Sequence, residues 1–365
     1  MKYFLVAGER SGDLHGGNLI NQIKLINPSA EFEGFGGDNM AKAGMKLQLH
    51  YREMAFMGFL EVVLNIFTIK RYLSQCKEQI KSSSVDAVIL IDYGGFNMKI
   101  AKYCKSIGVP VHFYISPKVW AWNQKRAIKL KKYVDFMYVI LPFEREFFKK
   151  YNWEVEYVGN PVLDAVKNHE VSKPELLDKE YIALLPGSRK QELNNMIPIF
   201  KQLVTETPEA NFIVASVDNL ERSFYQSIDL LSNVEMFDGS SYDLLANSRA
   251  AIVTSGTATL ETALWKIPQV VVYKTSNISY AIAKRLIKVP FISLVNLIAG
   301  REVVKELIQG DLTVQNLKKQ LSLILQQEIR ESILDGYDEI IKILDIGSAS
   351  QNAARLICNH TKKAS

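Results

Sequence analysis

The chain lacks the marks of a metalloprotein, a disulfide-stapled domain or a membrane-spanning protein. Its 365 residues include three cysteines, Cys76, Cys104 and Cys358, with no CxxC pair. That spacing gives neither a zinc site nor a disulfide framework, and it reads as free thiols in a reducing compartment. The five histidines, His15, His50, His112, His169 and His360, show no HxxxH or HxH pair, so no metal is expected. A GxxxxGK[ST] loop and a GxSxG elbow are both missing, which argues against a P-loop NTPase and a hydrolase nucleophile. Net charge is +5, too little to imply a large nucleic-acid surface, so no nucleic-acid partner is expected. No apolar run is long enough to span a bilayer; the densest, AFMGFLEVVLNIFTI at 55–69, is broken by Glu61 and Asn65. The apolar start at Met1–Gly8 is too short for a signal peptide and meets Glu9, Arg10 and Asp13 at once. It reads as a buried first strand, and the chain as cytoplasmic.

What the chain does have is an alternation of short apolar runs and helical stretches. Expected strands in the first half are Lys2–Ala7, Glu31–Phe35, Val85–Ile91, Val109–Ile115, Val134–Ile140 and Tyr157–Val158. In the second half they are Tyr181–Leu185, Phe212–Ala215, Val234–Phe237, Ala250–Val253 and Gln269–Tyr273. Helices between strands imply right-handed crossovers and mainly parallel sheets, hence an α/β protein of two Rossmann-like domains. After about Leu312 only helices are expected. The polar stretch Lys167–Lys179, with Pro174, reads as the linker. The domains are placed at 1–166 and 167–344.

Two glycine loops follow apolar runs and precede helices: Gly8-Glu9-Arg10-Ser11-Gly12-Asp13 and Pro186-Gly187-Ser188-Arg189. Such turns bring backbone N–H groups and a helix N-terminus toward a ligand, which suits phosphate. Each alone is equally an ordinary strand–helix turn. As a pair they suggest two domains facing each other across a nucleotide site. In open parallel sheets ligands sit beyond the carboxyl ends of the strands, and the unusual residues cluster in those loops.

Asp92 closes an apolar strand before Tyr93-Gly94-Gly95-Phe96-Asn97 and is placed to accept a proton from a substrate hydroxyl. The competing reading is a cap for a helix beginning near Asn97. Glu9 is the second acid; it could equally complement a helix dipole. Arg189 can fork onto a diphosphate. Ser255-Gly256-Thr257 opens a helix after Ala250–Val253 as a second anion-type turn, with Glu261 one turn in, near a ribose hydroxyl. The alternatives there are a helix cap for Thr257 and a surface acid for Glu261. Asn296, Arg301 and Glu302 form a late polar group to which physical reasoning gives no role. Trp120 and Trp122 lie beside Lys118, Lys125 and Arg126 in a basic run that suits an interface of apolar and anionic groups. The other reading is a basic helix face with one tryptophan inside. A helix from about Leu60 would carry Leu60, Val62, Val63, Ile66 and Ile69 in a band wider than one core contact needs, either a lipid-binding patch or a buried helix.

These segments resemble the lipid-A-disaccharide synthases of Gram-negative bacteria, GT-B-type glycosyltransferases. The similar motifs are AGERSGDLHG (7–16), IDYGGFN (91–97), YISPKVWAWNQKR (114–126), LPFEREFF (141–148), GNPVLD (159–164), LPGSRKQE (185–192), TSGTATLE (254–261) and NLIAGREVVKEL (296–307). They run over most of the chain, from Met1 to Leu307. The resemblance implies a GT-B fold whose C-terminal helix, about 345–365, crosses back to the first domain. The acceptor would bind in the N-terminal half and the donor in the C-terminal half. It implies transfer from UDP-2,3-diacylglucosamine to 2,3-diacylglucosamine 1-phosphate, giving a β-1,6 disaccharide 1-phosphate and UDP with inversion and no cofactor. By motif, Asp92 takes the base position, Arg189 the diphosphate position and Asn296 that of a functional asparagine. Glu9, Ser255, Gly256, Thr257 and Glu261 match substrate or nucleotide positions. Gly187, Ser188, Arg301 and Glu302 are grouped with the donor set, and Ser11, Gly12, Asn97 and Ser116 with the acceptor loops. Acylated substrates account for the apolar band, and an anionic membrane surface for the tryptophan segment. The enzyme would lie peripherally on the inner face of the inner membrane; a homodimer is left open. The sequence departs from the family at Gly94-Gly95, where Pro-Asp is frequent, and at Asn160, where histidine is frequent. Another UDP-sugar enzyme of the same fold, such as a UDP-N-acetylglucosamine 2-epimerase, is the alternative.

Overall fold

A computed structural model describes residues 1–54, 65–217 and 220–364. The chain divides into two compact units, 1–161 with 345–365, and 162–344. The first holds a sheet of β1 (Lys2–Ala7), β2 (Glu31–Gly36), β3 (Lys46–His50), β4 (Ala87–Ile91), β5 (Val111–Tyr114), β6 (Phe136–Val139) and β7 (Glu156–Tyr157). Their spatial order is β3-β2-β1-β4-β5-β6-β7. The second holds β8 (Ile182–Leu185), β9 (Phe212–Ala215), β10 (Val234–Phe237), β11 (Ala250–Thr254), β12 (Gln269–Tyr273) and β13 (Glu306–Ile308), in the order β10-β9-β8-β11-β12-β13. Every pairing among the described residues is parallel, and helices connect most of the strands.

The two sheets share one plan. Each starts in the middle, steps outward for two strands, then returns to the other side of its first strand. The reversal falls between β1 and β4 in one unit and between β8 and β11 in the other. Neighbouring loops there leave in opposite directions, and the crevice between them is where such folds bind ligands. The central strands are apolar because both faces are covered: all five residues of β4 are buried. Full burial of side chains of that size contributes roughly 1.5–3 kcal/mol each.

Edge strands β3 and β13 were not expected. Lys46–His50 alternates polar and apolar residues, and Glu306–Ile308 spans three residues; neighbours, not composition, make them strands. The polar stretch 167–179 is no loose linker. His169 Nε2 contacts Asp243 Oδ1 at 2.8 Å, Ser172 N and Oγ donate to the same carboxylate at 2.8 Å, and Leu177 is buried.

The helix Ala349–Ala364 packs in the first unit against the helix Arg10–Ile26. Ala353, Ala354, Ile357 and Cys358 share a core with Leu19, Ile20 and Ile23. A buried polar chain fastens it: His112 Nδ1 meets the Tyr138 hydroxyl at 2.9 Å, that hydroxyl meets His360 Nδ1 at 3.0 Å, and Thr361 Oγ1 meets His112 Nε2 at 3.1 Å. Among the described residues no helix is long and apolar enough to cross a membrane.

Candidate functional site

The acids of the first unit gather at its reversal point. Glu9 follows β1 and occupies the cap position of the helix Arg10–Ile26, yet its side chain makes no capping bond. Asp92 follows β4. It does not cap the next helix either: that helix runs from Gly94, its cap residue is Tyr93, and no side chain caps it. Instead the backbone here is strained. Asp92 and Tyr93 have φ of 44° and 46°, and Ile115, just beyond β5, has φ of 67°. Consecutive left-handed residues other than glycine persist only where surroundings over-determine them, and they concentrate at functional sites.

Asn97 supplies part of that constraint. Wholly buried in the first turn, its Nδ2 donates to Asp92 O at 2.9 Å, Ile91 O at 3.2 Å and Val6 O at 3.4 Å. It straps the ends of β1 and β4 together, so this residue, expected among the acceptor contacts, holds backbone. Gly8 completes the crevice floor. A Cβ there would run into the Tyr93 ring, whose hydroxyl donates to Met54 O at 2.8 Å. Only glycine lets that ring lie over the turn.

Electrostatics act on Asp92 together with this geometry. Burial, and then the neighbouring Glu9 carboxylate, push its pKa up to about 6, against a smaller pull from Lys118. A carboxylate held near neutrality beside a second acid, in a strand-end crevice, suits proton transfer.

The other residues expected in this unit are placed variously. Gly12 is buried, with its Cβ position 3.3 Å from Ala7 Cβ; it lets helix approach strand. Ser11 is exposed. The Ser116 hydroxyl is committed to Glu144, and Trp120 is buried with Nε1 donating to the same Glu144 oxygen at 3.2 Å and its ring edge-on to Phe143. Trp120 is thus the tryptophan packed inside, as the other reading of this run had it. Trp122 is 48% exposed, with the Arg126 guanidinium 5.9 Å from its ring centroid and Lys125 exposed nearby in the chain. Leu60, Val62 and Val63 lie outside the described residues. Ile66 and Ile69 open the helix Ile66–Ser82 half-buried, while Phe67 between them is 79% exposed.

Glu144 is the residue sequence reasoning missed. Its carboxylate accepts from Ile140 N at 3.2 Å and Leu141 N at 2.9 Å besides Ser116 and Trp120, so it knots the turns after β5 and β6. Burial pushes its pKa up to about 7. An acid inside LPFEREFF was the available signal.

At the second reversal point the turn after β8 is already filled. Gly187 has φ of 110°, and a Cβ there would strike Glu192. That carboxylate folds back to accept from Ser188 N at 2.9 Å and Arg189 N at 3.2 Å, a capping box for the helix Lys190–Thr205. The loop amides expected to meet phosphate are thus occupied by the protein's own anion. The cation remains: the Arg189 side chain is 66% exposed, 3.6 Å from Glu192.

Beside it, β11 leads to the helix Thr257–Leu264. Its cap residue is Gly256 and no side chain caps it, so Thr257 is not the cap. Gly256 and Thr257 are exposed, whereas the Ser255 hydroxyl is taken by Ile292 O at 2.9 Å. Glu261 is no surface acid. Burial pushes its pKa up to about 7, and the Tyr242 hydroxyl donates to it at 3.4 Å.

The late polar group stands apart. Asn296 is wholly buried and its amide is spent: Nδ2 donates to Val304 O and Glu306 Oε1, both at 2.9 Å, and Oδ1 accepts from Val303 N at 2.8 Å and Val304 N at 3.0 Å. With both donors and both acceptor positions used, it latches the helix Leu294–Ala299 to β13. Arg301 pairs with Glu339 at 2.7 Å, and Glu302 with Lys305 at 3.2 Å, all exposed. Among the described residues no group of three His, Cys, Asp or Glu could hold a metal ion.

Comparison with known proteins bears on the family and the fold. Residues 3–355 match the family model described as lipid-A-disaccharide synthetase. A relative from Coxiella burnetii named lipid-A-disaccharide synthase is 35% identical over 97% of each chain. Among solved structures, a UDP-GlcNAc 2-epimerase from Neisseria meningitidis bound to UDP-GlcNAc superposes with a TM-score of 0.65 over 100% of each chain at 15% identity. The calicheamicin glycosyltransferase CalG4 gives 0.61 over 100% of this chain and 97% of its own, also at 15%. At such identity these two establish the GT-B fold alone.

Proposed function

The chain belongs to the lipid-A-disaccharide synthetase family, and on that premise we propose the reaction and its base: transfer of 2,3-diacylglucosamine from UDP to the 6-hydroxyl of 2,3-diacylglucosamine 1-phosphate, with Asp92 taking the proton. A glycosidic bond forms between the acceptor oxygen and the donor's anomeric carbon. The bond from that carbon to the diphosphate breaks, and UDP leaves with the electron pair. Attack opposite the leaving group inverts the carbon and needs no enzyme nucleophile, only a base for the hydroxyl proton.

The observation that carries this assignment is the state of Asp92. It lies at the β1/β4 reversal, on strained backbone, with its pKa raised to about 6. At neutral pH such a carboxylate is mostly ionised yet basic enough to accept a proton as the hydroxyl becomes acidic in the transition state. Glu9 is the second acid of this crevice. Its negative charge raises the basicity of Asp92, and it can hold an acceptor hydroxyl. In the other unit Arg189 is assigned to the donor diphosphate through charge-assisted hydrogen bonds. Glu261 is assigned to a ribose hydroxyl of UDP. The exposed Phe67 and Trp122, with Lys125 and Arg126, are assigned to the membrane that holds the acylated substrates, on its cytoplasmic face.

The test is an assay of pure protein with acylated UDP-glucosamine and acylated glucosamine 1-phosphate. A β-1,6 disaccharide 1-phosphate formed one-for-one with UDP supports the reading. Conversion of UDP-N-acetylglucosamine to its 2-epimer without an acceptor, and no disaccharide, would replace it with the epimerase alternative.

A further inference from the structure

The segment between β12 and the helix Leu294–Ala299 has no part in the chemistry above. It forms the helix Asn277–Leu286, none of whose described side chains is buried. The segment is nevertheless firmly tethered at both ends. Before the helix, Gln309 accepts from Thr275 N at 3.1 Å and donates to Thr275 O at 2.6 Å, and Ser276 Oγ caps the helix by accepting from Ser279 N at 3.2 Å. After it, Ile292 N and Ser293 N both donate to Glu306 at 2.9 Å. So the segment is anchored to the second sheet at its two ends and bare along its body.

Its composition identifies a partner. No Asp or Glu occurs between Tyr273 and Arg301, whereas Lys284, Arg285 and Lys288 fall within five positions. All three are exposed, and among the described residues none is in an ion pair. Interleaved with them, Leu286 is 48% exposed and Ile287 is 40% exposed. Unpaired cations beside exposed aliphatic side chains, with no acid to repel an anionic surface, are complementary to a bilayer of anionic lipid. A protein partner matching this face would have to supply both the apolar cover and three counter-charges.

We propose that the helix Asn277–Leu286 and the turn after it form a second membrane contact, in the second unit, seating Lys284, Arg285 and Lys288 on anionic headgroups and Leu286 and Ile287 among the upper acyl carbons. This contact is independent of the base assigned to Asp92. It gives the second unit its own hold on the bilayer.

The test uses the full-length protein and vesicles of phosphatidylethanolamine with phosphatidylglycerol, against vesicles with phosphatidylcholine in its place. Each cation near a charged surface contributes about fivefold to binding, so K284Q/R285Q/K288Q should weaken binding roughly a hundredfold. UDP affinity by calorimetry should stay unchanged. A local probe is available because all three native cysteines are buried: a polarity-sensitive dye placed on Leu286→Cys should shift to the blue with the anionic vesicles alone. A triple variant that floats like the parent, or a dye that does not respond, overturns the proposal. Loss of a dimer on sedimentation with unchanged flotation also overturns it, and gives this face to a second copy of the chain.

Discussion

The two reversal points are built on the same strand order and do opposite things with charge. At β1/β4 two carboxylates, Asp92 and Glu9, are brought near each other in a partly buried crevice, and the pKa of Asp92 rises. At β8/β11 the turn pairs its acid with a cation and with backbone amides, so Glu192 is neutralised on the spot and Arg189 is left exposed. The first arrangement leaves a carboxylate in need of a proton. The second leaves an exposed cation whose carboxylate partner, 3.6 Å away, is shared with two backbone amides. The shared sheet plan thus sets where each crevice lies, while three or four loop residues set its charge.

The sharpest way to break this contrast is Asp92→Asn. Turnover should fall about 10²–10⁴-fold with UDP affinity unchanged. In the parent, kcat/KM should rise with pH through about 6 as Asp92 ionises; a flat profile would remove it as the base. Stability should respond oppositely. Because the folded protein holds this proton more tightly than the unfolded chain, Asp92 makes stability fall as pH climbs from the ordinary carboxylate range through about 6. The asparagine variant should therefore match the parent at pH 4 and melt higher at pH 8, by up to ~2–3 kcal/mol before allowance for solvent at the half-buried carboxylate.

Next in size is Asn296→Ala. Losing a buried side chain with four hydrogen bonds, and stranding their partners, should cost about 2–4 kcal/mol of stability. UDP affinity below the melting transition should persist; its loss in a protein that melts normally would place Asn296 among the ligand contacts.

Arg189→Ala should weaken UDP binding about tenfold or somewhat more, a charge-assisted contact of roughly 1.5 kcal/mol, with little change in melting because the side chain is exposed. Glu192→Ala is the smallest and most discriminating change. It removes a capping box, costing about 1 kcal/mol, and frees the Ser188 and Arg189 amides. UDP should then bind as well as before or a few-fold tighter. Weaker binding would mean that Glu192 serves the donor by aiming Arg189.

Most of the fold was legible in the sequence because strands buried on both faces are apolar throughout, and glycine loops mark their ends. The strands β1, β9, β10 and β12 fall on the expected residues, and β3 and β13 escaped because Lys46–His50 holds only two apolar residues and Glu306–Ile308 is three residues long. The candidate site was legible only as a set of loops. Sequence shows that Asp92, Asn97, Ser116 and Asn296 lie in unusual segments. It does not show which side chain turns inward, because that depends on partners far away along the chain. Ser116 and Trp120 both bond Glu144, 28 and 24 residues on, and Glu306 holds Ser293 and Asn296 across a strand boundary. Motif spacing carries no information about such pairings, so a polar residue recruited to hold a loop looks the same as one that meets a ligand. Gly187 is similar: its lack of a Cβ makes room for the return of Glu192, a use that the spacing of the loop does not reveal.

The helix Ala349–Ala364 has a consequence for synthesis on the ribosome. Leu19, Ile20 and Ile23 are made near the start of translation, yet the residues that cover them come after the whole of 162–344. At about 5–20 residues per second, that interval lasts roughly 10–40 s. Through it the early unit presents an oily flank to solvent while the later unit, contiguous in the message, can close by itself. The order of emergence therefore leaves the core of the nascent first unit incomplete until the last helix arrives. A message truncated before codon 349 should yield a second unit that still binds UDP, attached to a first unit that aggregates.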